Sequence, residues 1–175
     1  MIDPLLDLVL RGGLAAILGY AAFHKLKDRA TFEGQLAAYA LLPEGFVHPM
    51  SRALPLVEGA AALFLLARSE HASLLSAALL LLYAGAMGIN LARGRHDIDC
   101  GCGGPEGRQT LHWALVLRNL LLAFGALAIG LPSEMRPLSW ADYAIAILGL
   151  LAFLALYTAL NALVANIPAT NRLKA

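Results

Sequence analysis

At 175 residues, 59% of them hydrophobic and 14% charged, with a mean hydropathy of +0.68, the chain carries more apolar side chain than a soluble domain of this size can bury. The surplus must face lipid or a large partner, so membrane lipid is the expected surrounding. A net charge of +1, from 13 Lys and Arg against 12 Asp and Glu, supplies no basic excess to neutralise phosphates, and no nucleic acid is expected as a partner.

About 20 apolar residues cross a bilayer as a helix. By that measure the chain holds five spans, at about 5–23, 50–67, 72–92, 111–131 and 140–164. The opening MIDPLL has no Lys or Arg before Arg11 and no small-residue cleavage site at the usual spacing, so the first span is expected to stay rather than be removed as a signal peptide. The connector from 24 to 48 is the longest and is expected to be helical in part through ATFEGQLAAYALL. Pro55 falls near the start of the second span, where a missing N–H is tolerable. Gly85, Gly88 and Gly125 allow close helix approach in the third and fourth. No repeat or low-complexity tract interrupts the chain. The expected fold class is all-α, an integral membrane bundle of four core helices plus a fifth C-terminal span, forming one domain over 1–175.

Between the third and fourth spans the loop reads RGRHDIDCGCGGPEGR. It sets the thiols Cys100 and Cys102 one residue apart among four glycines, which make the backbone permissive. A disulfide closed over one residue is a small strained ring, and strained disulfides are labile and suit exchange better than stapling. The same membrane face carries His24, Lys25, Arg93, Arg95 and His96. Cations near a thiol stabilise the thiolate that attacks disulfides, and Lys25, Arg93 and Arg95 are the candidates for that role. The rival is a metal site from His96, Cys100, Cys102 and His112, but C-x-C lacks the two-to-four-residue gap of common zinc sites, and no metal is expected.

Ionisable residues inside spans survive where they are paired, hydrated or used. Arg11, Glu58 and Arg118 qualify. At about 1.5 Å per residue, Glu58 lies roughly 13 Å and Arg118 roughly 10 Å in from the cysteine side, with Arg11 roughly 10 Å from the other. Arg11 and Glu58 are therefore expected to meet near mid-depth, either as an ion pair that fixes helix register or as part of the chemistry. Glu58, Asn90, Arg118 and Asn119 are expected to form an intramembrane polar cluster beneath the thiol loop, able to bind a quinone head group or relay protons. Trp113, Trp140, Tyr83 and Tyr143 read as aromatic-belt or packing residues.

Nine cations (Lys25, Lys27, Arg29, Arg52, Arg93, Arg95, Arg108, Arg172, Lys174) flank the cysteine side and two (Arg68, Arg136) the other. The positive-inside rule then puts the thiol loop in the cytoplasm, although a cation kept for chemistry counts falsely toward topology.

The pattern resembles the methylamine-utilisation MauE group within the broader DoxX-like membrane proteins. The matching features are Arg11 in the first span, GYAAFHKLKD with Gly19, Phe23, Lys25 and Leu26, then Phe32, Tyr39 and Leu42-Pro43. They continue with LPLVEG from Leu54, NLARGR from Asn90, IDCGCGG from Ile98 and LRNLLL from Leu117. The match covers about 5–125. It departs where the family loop usually continues CGCFG and this chain has Gly103-Gly104. The resemblance implies a bacterial inner-membrane accessory factor for methylamine dehydrogenase, whose small subunit is rich in disulfides. It also implies a thioredoxin-like, MauD-like partner in the periplasm, the opposite side from the one the charge count gives. The expected function is thiol–disulfide exchange through Cys100 and Cys102. A quinone-linked oxidoreductase subunit like the DoxD-type proteins and a non-enzymatic scaffold or chaperone are the alternatives.

Overall fold

In a computed structural model the chain is described over residues 2–100, 110–132 and 136–172, the last six through their backbone alone. Among the described residues the regular structure is helical, with isolated bridge positions at Ile2 and between Asp99 and Thr110. The helices are α1 (Pro4–Lys27), α2 (Arg29–Ala38), α3 (Glu44–Leu66), α4 (Ala72–Ala92), α5 (Trp113–Ala128) and α6 (Trp140–Arg172). Four of them, α1, α3, α4 and α6, are long and apolar enough to cross a membrane, and α5 is a shorter apolar helix.

Local chemistry sets the boundaries. Asp3 caps α1 by accepting from the Leu5 amide at 2.8 Å, Pro4 takes the first helical position, and His24, Lys25 and Lys27 place positive charge at the C-terminal end of the dipole. Asp28 ends α1 and caps α2 through the Thr31 amide at 3.2 Å. Its hydrogen bonds to Thr31 hold the Asp28 carboxyl below the usual carboxylate range. The second predicted span begins earlier than the sequence implies. α3 starts at Glu44 behind the Pro43 cap, so Pro49 and Pro55 both lie inside the helix. The fourth is shorter than predicted: His112 Nδ1 accepts from the Ala114 amide at 3.2 Å and starts α5 at Trp113. Upstream, the Leu111 amide donates to the Ile98 carbonyl at 3.0 Å and tucks Leu111 and Cys100 into the end of the bundle.

α1 packs against α3 on one side and α6 on the other, and α4 pairs with α5. One core cluster, including Leu14, Leu18, Ala61, Leu65, Leu79 and Ala126, fills the end where α1 begins. A second, including Tyr39, Met87, Leu91, Cys100, Leu111 and Leu115, fills the cysteine end. Small residues fix the α1–α3 register: a Cβ on Gly19 would lie 3.7 Å from Ala62 and one on Gly59 3.9 Å from Ala22.

α6 lies on the outside, with Ala146 its buried apolar residue and most of its apolar side chains exposed. It seats on α1 where the backbones come close. A Cβ on Gly13 would meet the Phe153 ring at 2.5 Å, and one on Gly149 would meet Val9 at 3.2 Å. Gly13→Val is expected to destabilise the protein by about 1–3 kcal/mol through overpacking. A thermal unfolding curve in detergent checks this, and an unchanged curve would mean that α6 is not seated there.

Candidate functional site

At the end where α1 begins, Asp7 is buried and accepts from Arg11 Nε at 2.9 Å and Arg68 Nη2 at 3.0 Å. Arg11 Nη2 also reaches the Ile129 carbonyl at 3.5 Å. The expected Arg11–Glu58 pair is therefore not formed. The register explains why: with Gly19 opposite Ala62 and Ala22 opposite Gly59, Arg11 falls level with the α3–α4 turn, well past Glu58. Depths counted from assumed span ends set the two side chains level, whereas this register puts Arg11 opposite residue 70, about 18 Å along the α3 axis from Glu58.

Glu58 instead meets Lys25. The Lys25 ammonium donates to Glu58 Oε1 at 2.5 Å and to the Tyr83 hydroxyl at 3.3 Å, and Tyr83 donates to the same Oε1 at 2.7 Å. Lys25 is 5% exposed and Glu58 1%. The Lys25 ammonium also lies over the rings of Phe32 and Tyr83, at 5.1 and 4.5 Å. Glu58 Oε2 is buried with no hydrogen-bond partner among the described residues. This triad joins α1, α3 and α4 in the middle of the bundle.

Two cavities meet at the triad. The first, about 180 Å³, is an apolar slot under the loop, with walls that include Phe32, Leu54, Leu82 and Met87, and Lys25, Tyr39, Tyr83 and Cys100 also line it. The second, about 530 Å³, lies among α1, α4, α5 and α6 and is lined by Lys25, Glu58, Tyr83, Arg118, Asn119 and Asn161, among others. Arg118 donates to the Asn161 side chain at 2.5 Å and sits over the Tyr157 ring. The expected polar cluster thus forms in part. Glu58, Arg118 and Asn119 share the larger cavity, while Asn90 does not line it.

Asn90 is fully buried, donates to the Ala86 carbonyl at 3.1 Å and accepts from Arg95 at 2.9 Å. Arg95 also donates to the carbonyls of Tyr39 at 3.1 Å and Ala38 at 2.7 Å. It clamps the turn after α2, where Ala40 adopts a left-handed backbone with φ of 48°, a conformation that costs an L-residue about 1–2 kcal/mol. From that turn the Tyr39 hydroxyl donates to the Cys100 carbonyl at 3.3 Å. Of the three cations expected near the thiols, Lys25 reaches the Cys100 slot, Arg95 holds the turn that carries Tyr39, and Arg93 is exposed at the end of α4. Cys100 is 7% exposed; Cys102 lies outside the described residues.

Sequence reasoning passes over four of these residues. Asp7 draws no reading there, and Tyr83 reads as an aromatic-belt or packing residue. Tyr157 and Asn161 belong to a fifth span that shows little beyond hydrophobicity. Their common signal is a polar side chain within an apolar run: Asn161 follows Tyr157 by one helical turn, on the same face.

The family model for "Methylamine utilisation protein MauE" matches residues 3–132, which include α1 to α5. A methylamine utilization protein MauE from Paracoccus denitrificans is 40% identical over 139 residues, covering 77% of this chain and 75% of its own. One from Paracoccus versutus is 38% identical over 180 aligned positions, covering 98% and 96%, and one from Methylophilus methylotrophus is 36% identical over 141, covering 78% and 74%. No solved structure matches the chain.

Proposed function

The chain belongs to the MauE family of methylamine utilisation proteins, and from that premise we propose that it is a thiol–disulfide exchange factor in the maturation of methylamine dehydrogenase or a similar disulfide-rich client. One sulfur of the Cys100/Cys102 pair forms a mixed disulfide with a thioredoxin-like, MauD-like partner and the other resolves it. The observation that carries this reading is the setting of Cys100, tucked against an apolar slot that Lys25 also lines and braced by Tyr39 through its carbonyl. Arg95 is a positioning residue that acts through the 38–40 turn.

Exchange with a periplasmic partner needs the loop on the outer face of the bacterial inner membrane. Two of the nine cations that argue against this side are engaged within the protein: Lys25 is buried and paired with Glu58, and the half-buried Arg95 bonds to Asn90 and backbone carbonyls. Neither is free to interact with head groups, so both weigh less in the positive-inside count.

Two measurements test the proposal in intact cells. A membrane-impermeant thiol reagent should label Cys100 and Cys102 from outside only after reduction; labelling only after lysis would put the loop in the cytoplasm and overturn the periplasmic role. Co-expression with a thioredoxin-like partner whose resolving cysteine is serine should trap a mixed disulfide on a non-reducing gel. No trapped species, with both proteins present, would sink the exchange reading.

A further inference from the structure

We propose that the slot beside Cys100 binds the head group of a membrane quinone, and that this quinone takes the electrons released when the thiol pair closes to a disulfide. The inference rests on the exchange reading above and supplies its missing electron acceptor.

The argument starts from what the slot would accept. Its lining is apolar except for a few groups, and Leu82 on its wall is exposed on the outer surface of α4, where lipid lies. At about 180 Å³ it has room for one substituted six-membered ring. The Lys25 ammonium has three hydrogens. Two are engaged by Glu58 Oε1 and the Tyr83 hydroxyl, leaving one for an acceptor in the slot that Lys25 lines.

Charge narrows the ligand further. Lys25 and Glu58 already form a neutral pair, and Glu58 Oε2 has no donor among the described residues. A fatty acid or phosphate would bring a second negative charge beside that carboxylate in a low-dielectric site, which is costly. A neutral, planar, lipid-soluble molecule with a carbonyl oxygen meets every feature: apolar walls for the ring, one ammonium N–H for the carbonyl, and a sulfur in the same wall. A quinone is such a molecule and accepts two electrons.

The step balances. Two S–H bonds, at Cys100 and Cys102, break and one S–S bond forms. The two electrons and two protons pass to the quinone, whose carbonyl oxygens become the hydroxyls of a hydroquinone. Lys25 is placed to donate a hydrogen bond to one of those oxygens, and each oxygen takes up its proton as it takes up charge, so no second anion is left beside Glu58.

The test uses the full chain in lipid nanodiscs with ubiquinone-1 as the probe. Cys100→Ser protein is titrated to measure binding alone. Reduced protein with both cysteines is mixed with ubiquinone-1 without oxygen, and quinone absorbance and thiols are counted. The expected result is saturable 1:1 binding, weakened at least tenfold by Ala86→Phe, which fills the slot, and one hydroquinone formed per two thiols lost. Should Ala86→Phe fail to fold, competition by palmitate replaces it. Palmitate should not displace the quinone, and equal competition would reveal a general lipid cleft and overturn the proposal. No saturable binding, in protein that still forms the mixed disulfide with a thioredoxin-like partner, overturns the quinone site and leaves the exchange reading standing. Binding without quinone reduction overturns the acceptor assignment. Loss of both quinone reduction and the mixed disulfide points to failure of the exchange reading itself.

Discussion

Replacing Lys25 by methionine is expected to destabilise the folded protein by about 3–5 kcal/mol, the range for removing one partner of a buried ion pair. Both members are almost wholly buried, and Glu58 Oε2 already lacks a donor among the described residues. Without the ammonium, the Glu58 carboxylate keeps, among the described residues, only the Tyr83 hydroxyl. The double variant Lys25→Met with Glu58→Leu removes the charge along with its partner, so it should recover most of the loss. Denaturant unfolding of the four proteins of this cycle in bicelles measures the coupling directly. Additive effects would mean that the pair contributes little and that Lys25 is held by its aromatic neighbours Phe32 and Tyr83 instead.

Serine at Cys100, at Cys102 or at both is expected to reduce assembly of active methylamine dehydrogenase to the level of cells lacking the protein, because exchange through a mixed disulfide needs one sulfur to attack and a second to resolve. The control is Arg93→Gln, which removes an exposed charge and should leave enzyme yield within experimental error. The readout is dehydrogenase activity in periplasmic extracts, set against the level of each variant in the membrane. Full activity from the double serine variant would refute the exchange mechanism in favour of a scaffold that holds its client without thiol chemistry.

The membrane bundle, four of its long helices and the α2 segment are legible in the sequence because hydropathy and length are local properties of the chain. The polar partners are not, because they depend on register. Depths counted from two assumed faces set Arg11 and Glu58 level, but the Gly19–Ala62 and Gly59–Ala22 contacts bring Lys25, near the other end of α1, beside Glu58 instead. The apolar count also misses the start of α3, set by Pro43 and Glu44 in a stretch too polar for it to include. Lys25 draws attention as a cation near the thiols, and it does line the slot of Cys100, yet its closest partner is a carboxylate that the depth count places elsewhere. Asn90 and Arg95 stand out separately in the sequence, and only the folded turn after α4 brings them together. The contribution of α6 to the larger cavity is hidden because one tyrosine and one asparagine barely alter the hydropathy of a long apolar helix.

The order of charged partners along the chain bears on biogenesis. The first helix emerges from the ribosome with Asp7 and Arg11 one turn apart and already matched, so its deepest acid needs nothing from later segments to enter the bilayer. Lys25 follows in the same helix, and Glu58 is synthesised more than thirty residues later. An acidic residue deep in an apolar segment weakens translocon-driven integration, but here a waiting ammonium can receive it. Integration of α3 should therefore depend on α1 having gone in first. In glycosylation mapping of nascent chains, α3 alone should insert poorly, and α1 supplied upstream should rescue it only while residue 25 is lysine.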